Sequence, residues 1–303
     1  MDLLFATPPL LYAGVFLLGA MIGSFLNVVI LRLPPLLEHD WRCQCRELLA
    51  EGADGVSTDG AATDHKEQHE ADPRPPGIVA GRSKCPRCGH TIRAHENLPL
   101  LSFVLLRGKC AACKTPISVR YPLVELLTAL LFVITIWHFG PTLQGLSALL
   151  LTAFLIALAG IDIDHQLLPD NMTLPLMWGG ILVSFWSIHA DLASSVIGAI
   201  AGYLILWSIY HLFRLLTGKE GMGYGDFKLL AALGAWMGWQ MLPLIVLLSS
   251  VVGALTGLAL MATGRMQREK PMPFGPFIAA AGWIALIWGE RIIDMYTRTG
   301  AFG

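Results

Sequence analysis

Apolar residues run along this chain in long blocks rather than in alternation. Leu10 to Leu31 is the first block long enough to cross a bilayer as a helix, and Arg32 closes it. The blocks recur at short intervals: Pro122–His138, Leu146–Ile161, Leu174–Ile188, Leu192–Leu216, Phe227–Trp239, Leu242–Thr263 and Phe274–Trp288. The pattern predicts an all-α polytopic membrane protein with about eight transmembrane helices. Gly23, Ser24 and Asn27 lie in the first block and are the residue types through which spans approach one another.

Only one long stretch is polar. Residues 33–120 separate a first transmembrane helix, 1–32, from a transmembrane domain, 121–303. Glu38 to Leu49 reads as a short helix. Residues 49–78 are acidic, rich in Gly, Ala and Pro, and without an apolar period, which predicts a flexible loop. Arg and Lys gather in 33–120 and again at Arg214, Lys219, Arg265, Arg268 and Lys270, while the loops near Gly140 and His189 carry none. The positive-inside rule puts the first group in the cytoplasm and both termini on the far side, with Arg291 and Arg298 as exceptions. Asp162 and Asp226 then share the cytoplasmic face.

Composition agrees with a bilayer environment. Of 303 residues, 54% are hydrophobic and only 14% charged, unlike a soluble domain. A net charge of −1 gives no reason to expect nucleic acid as a partner. Residues 1–9 hold no basic residue, and no small-residue cleavage site follows the first block, so that span is expected to remain in the mature protein.

Cys85-x-x-Cys88 and Cys110-x-x-Cys113 have the spacing of a four-cysteine zinc ribbon. Four thiolates leave no open position for water, so the metal's role is structural: it staples a segment too small for a large core. His90 is expected at the surface rather than as a ligand. Cys43-Gln44-Cys45 lacks the two-residue spacer and is expected as reduced thiols.

Two acidic clusters fall at the ends of apolar blocks. One is Asp162-Ile163-Asp164-His165; the other is Asp226, directly after Gly223-Tyr224-Gly225. Asp170 or Asn171, behind Pro169, is a natural N-cap, and an aspartate at the start of a helix is often no more than that. Two close carboxylates can also hydrolyse a peptide bond. They share one proton, the ionised one takes a proton from water, and the other donates to the carbonyl oxygen. Each aspartate's own helix suggests the division of labour: Asp162, at a helix C-terminus, would hold the proton, and Asp226, at an N-terminus, would be the base.

The ordered set of motifs goes further. Gly23-Ser24-Phe25-Leu26-Asn27, Arg32-Leu33-Pro34, Cys85-Pro86-Arg87-Cys88, Glu96-Asn97-Leu98-Pro99, Arg107-Gly108-Lys109-Cys110 and Arg120-Tyr121-Pro122-Leu123-Val124-Glu125 come first. Asp162-Ile163-Asp164, Leu168-Pro169-Asp170, Gly223-Tyr224-Gly225-Asp226 and Pro273-Phe274-Gly275-Pro276 complete it. Together they resemble the bacterial type IV prepilin peptidase/N-methyltransferase family, whose Gly-x-Gly-Asp element is that of intramembrane aspartyl proteases. The resemblance implies a bifunctional inner-membrane enzyme. It would cut the basic leader from type IV prepilins and type II secretion pseudopilins at the cytoplasmic face, then methylate the new N-terminus with S-adenosylmethionine. It also implies that Asp162 and Asp226 are the catalytic pair, that the four cysteines hold zinc, and that Gly108 is tied to methylation. Physics alone leaves Asp164 open as an alternative to Asp162. Two rival readings use the same features: a proton-coupled transporter and a non-catalytic, zinc-stapled assembly platform.

Overall fold

A computed structural model describes residues 8–54, 74–78, 81, 83–219, 221–263 and 272–299. The described residues form helices and turns, with β-pairing limited to two isolated bridges, Lys84 with Thr91 and Lys109 with Pro116. The long helices are α1 (Pro8–Asp54), α3 (Arg120–Phe139), α4 (Leu143–His165), α5 (Asp170–Ser184), α6 (Leu192–Thr217), α7 (Tyr224–Met237), α8 (Leu242–Ala262) and α9 (Gly275–Thr299). A single-turn helix, α2 (Leu101–Leu105), lies in the polar insertion.

The eight apolar blocks all become helices, and two of them are short. Six helices are long and apolar enough to cross a membrane. Six of the about eight expected spans meet that length, and the other two blocks form shorter helices. The short pair, α5 and α7, have 15 and 14 residues. At 1.5 Å per residue, α7 reaches about 21 Å, well short of an apolar layer about 30 Å thick. It does not need to match that layer, because protein surrounds it. Residues Leu229 to Met237 are all buried. α5, α6 and α9 pack around α7, and α6 and α7 meet backbone to backbone at Gly198 and Gly234, the close approach that small residues permit in membranes. The main core joins Phe227, Leu230, Leu233 and Trp236 of α7 to Leu155 and Leu158 of α4, Leu206 and Tyr210 of α6, and Ile278 of α9.

The first helix also departs from expectation. Arg32 does not end it; α1 runs on through Pro34 and Pro35 to Asp54, 47 residues in all. Internal prolines remove hydrogen bonds and usually kink or break a helix. Here α1 is held on both sides of them. Below, it packs along α3 and α4, with Gly23 against Glu125 and Thr128 and the Asn27 side chain donating to the Tyr121 carbonyl at 3.0 Å. Above, Arg32 donates to the carbonyls of Gly77 and Gly81 at 2.9 and 3.1 Å. The expected short helix at 38–49 is the continuation of α1, and the core of the expected acidic loop, 55–73, lies outside the described residues.

α9 decides how the halves meet. α1, α3 and α4 pack together, α5 and α6 flank α7, and α9 touches α4, α7 and α8. The start of α9 thereby arrives at the end of α4, beside Asp162.

Candidate active site

Asp162 lies in the last turn of α4 and Asp226 in the first turn of α7, and both are buried. They are 5% exposed each. Leu168, from the α4–α5 connection, packs against Gly225, the residue before Asp226, and against Gly275, which touches Asp162. A Cβ at Gly225 would stand 2.7 Å from the Leu168 Cβ, and one at Gly275 would stand 3.2 Å from its Cδ1. The glycine before Asp226 is therefore a packing requirement: only a residue without a side chain admits Leu168.

Asp226 is not an N-cap. Gly223 occupies that position, and no side chain caps the helix. The Asp226 N–H donates to the Gly223 carbonyl at 3.2 Å, while its buried Oδ1 has no partner. Asp162 is held from across the fold. The Gly275 N–H donates to Asp162 Oδ2 at 3.0 Å. The first N–H groups of a helix have no partner within it, and the start of α9 disposes of each. Gly275 gives its N–H to Asp162, Pro276 has none, and Phe277 donates to Phe274 at 3.1 Å. There is no room for a side chain at 275, since a Cβ would stand 2.6 Å from Asp162 Oδ2.

The neighbouring acids are sorted by their partners. Asp164 is ion-paired with Arg120 at 2.6 Å, and Asp170 with Lys228 at 2.6 Å. Asp170 opens α5 as its first residue, behind Pro169 as N-cap. Among the described residues, Asp162 and Asp226 have no such cation. The sequence left Asp164 open; the ion pair engages its carboxylate elsewhere. Gly275 and Lys228 were missed as partners. Arg120 and Gly275 stand in the quoted motifs, but their contacts join segments 44 and 113 residues apart.

The four cysteines come together as a cluster. Their sulfurs all lie within 4.8 Å of one another, and Cys85 and Cys113 are 3.8 Å apart. A tetrahedral ion with metal–sulfur bonds of about 2.3 Å spaces its ligands about 3.8 Å apart, so the set fits a metal. Two equivalent knuckles build it. The Cys85 N–H donates to His90 and the Gly89 N–H to Cys85; the Cys110 N–H donates to Thr115 and the Lys114 N–H to Cys110. The hydroxyl and then the N–H of Thr115 pull the Cys113 thiol down to about 6, while the Cys88 thiol beside it is pushed up to about 11. His90 points instead at Glu96, 3.1 Å away, and Cys43 lies beside His39 on α1. Gly108 precedes the second knuckle in a turn at φ +66°, with the Phe103 ring against it. Its N–H donates to Phe103 at 2.8 Å and its carbonyl accepts from Ile117 at 2.7 Å.

Comparison with known proteins adds the lineage of this arrangement. Residues 17–139 match the bacterial peptidase A24 N-terminal domain, and residues 149–258 match the type IV leader peptidase family. A prepilin leader peptidase/N-methyltransferase of Aeromonas hydrophila is 52% identical over 296 residues, 98% of this chain and 97% of its own. The protein so named from Stutzerimonas stutzeri is 51% identical over 281 residues, covering 93% and 92% of the two chains. That of Pseudomonas aeruginosa is 48% identical over 302 residues, covering 100% and 99%. No solved structure matches the chain with significance.

Proposed function

The chain belongs to the type IV leader peptidase family, and on that premise we propose that Asp162 and Asp226 are the pair that cuts the leader. The enzyme has two activities, removal of a prepilin leader and N-methylation of the product. Type II secretion pseudopilins join prepilins as substrates in this reading. The observation that carries the assignment is the meeting of two buried carboxylates without a countercharge, from α4 and α7, around Leu168 and Gly275. The transporter and platform readings give way to the family assignment.

The contacts reverse the division of labour that each aspartate's own helix suggests. The α9 N-terminus adds a donor to Asp162, and a hydrogen bond to a carboxylate favours its ionised form. The shared proton belongs on Asp226, at the partnerless Oδ1. Asp162 takes a proton from the attacking water, and Asp226 gives its proton to the scissile carbonyl oxygen. Leu168 and the start of α9 exclude bulk water from the pair.

Zinc is the ion we assign to Cys85, Cys88, Cys110 and Cys113, as a closed structural centre that fixes the fold of residues 84–117. Bound S-adenosylmethionine would supply a methyl group to the new N-terminal amine. Both backbone groups of Gly108 are engaged within its own turn, so Gly108 contributes the shape of the knuckle rather than a contact, and no step is assigned to the donor. We place the basic insertion and the aspartates on the cytoplasmic side of the inner membrane, with both termini periplasmic; the Arg and Lys distribution supports that reading.

The test is purified protein with a prepilin, with and without S-adenosylmethionine, read by mass spectrometry. Asp162→Asn and Asp226→Asn should each abolish leader loss yet still methylate a substrate supplied already cut. Normal cleavage by either variant would remove the assignment.

A further inference from the structure

The short helix α2 presents an apolar face that nothing in the described protein covers. Leu98, Leu101, Val104 and Leu105 are exposed, the last two at 70% each, while Ser102 on the opposite side is buried. Positions 101, 104 and 105 lie on one side of a helix, so this is a face rather than scattered residues. Its height is fixed by a hydrogen bond. The Leu100 N–H donates to Glu125 Oε2 at 2.8 Å. Glu125 is buried in the second turn of the spanning helix α3, about 7 Å beyond its first residue at 1.5 Å per residue. The face of α2 therefore stands level with the start of α3, where exposed Val119 and Leu123 carry the apolar belt onward.

Charge decides what covers it. Between residues 84 and 120 the chain has seven Arg and Lys and one acid, Glu96. Arg107 and Lys109, next to α2, are both exposed. An apolar face at the level of the bilayer rim, edged with cations, is the pattern of an interfacial element on anionic lipid. We propose that α2 is such an element: its leucine and valine face sits in the cytoplasmic leaflet, and Arg107 and Lys109 contact anionic phospholipid headgroups. The metal module is then seated on the membrane at a fixed height beside the aspartate pocket. The proposal goes beyond the catalytic assignment and does not depend on which aspartate holds the proton.

The experiment uses the full-length, metal-loaded protein with Cys43→Ser and Cys45→Ser, carrying a nitroxide at Leu105→Cys or, as a control high on α1, at Leu48→Cys. The protein is placed in vesicles of phosphatidylcholine alone or mixed with phosphatidylglycerol. Relaxation by oxygen is compared with relaxation by a water-soluble nickel chelate. With phosphatidylglycerol present, the label at Leu105 should respond to oxygen more than to nickel, and the label at Leu48 the reverse. In phosphatidylcholine alone the Leu105 label should shift toward nickel. A Leu105 label as water-exposed as Leu48 in both vesicles overturns the proposal. So does one that becomes shielded only when a prepilin is added, which would make the face a protein-docking site. Equal shielding in both lipids overturns the choice of an anionic partner.

Discussion

Replacing Gly275 with alanine adds one methyl group next to one of the two aspartates. The new Cβ would stand 2.6 Å from Asp162 Oδ2 and 3.2 Å from its Cγ. Carbon and oxygen cannot share that space, and the obstruction is rigid on one side because it belongs to the backbone of α9. Asp162 has to rotate away, which breaks its 3.0 Å bond from the Gly275 N–H. A hydrogen bond to a charged group is worth about 1.5–3 kcal/mol. If that support is lost from the transition state, at about 1.4 kcal/mol per factor of ten, kcat for leader cleavage falls roughly 10- to 150-fold. KM should change little, because the substrate does not bind through this bond. The assay is leader removal from a prepilin under saturating and limiting substrate, with methylation of a precut substrate as the check on folding. Gly253→Ala in α8 is the control, since its Cβ would meet only ordinary contacts at 3.5 Å and beyond. Gly275→Ala with full methylation and kcat within twofold of wild type would refute the positioning role of α9.

Other expectations follow from the same geometry. Asp164→Asn removes a partly exposed ion pair with Arg120, of a kind usually worth about 0.2–1 kcal/mol. Cleavage should fall less than about fivefold, against near-complete loss for Asp162→Asn; equal losses would undo the distinction between the two. Cys88→Ser should lower bound zinc from one per chain toward none and open residues 84–117 to protease, both measurable on detergent-purified protein. Gly108→Ala forces a side chain to φ +66° and presses on the Phe103 ring, at a cost of about 1–2 kcal/mol in the left-handed region. Methylation should drop more than cleavage, and a uniform drop in both would detach Gly108 from the second activity.

Hydropathy located every long helix but not that two of them, α5 and α7, would be short. The block that became α7 is enclosed by other helices, a property of packing that hydropathy does not report. Arg32-Leu33-Pro34 reads as a helix end because proline's local cost is visible, whereas the contacts that carry α1 past it come from residues 77, 81, 121 and 125. The cysteine spacing was sufficient for the four-cysteine cluster, since each knuckle is local and its hydrogen bonds stay within five residues. The aspartates could be nominated but not assigned roles. Helix dipoles placed the proton from each carboxylate's own helix, and the donor that bears on the proposed reversal is the first N–H of a helix 113 residues later.

Whether two aspartates act as one unit is best measured by comparing Asp162→Asn, Asp226→Asn and the double variant in single-turnover leader cleavage. Groups that work as a unit are strongly non-additive. Each single change should remove essentially all cleavage, and the double should lose no more than either. Losses that multiply in the double variant, or one single variant that still cuts at a substantial rate, would contradict the paired mechanism.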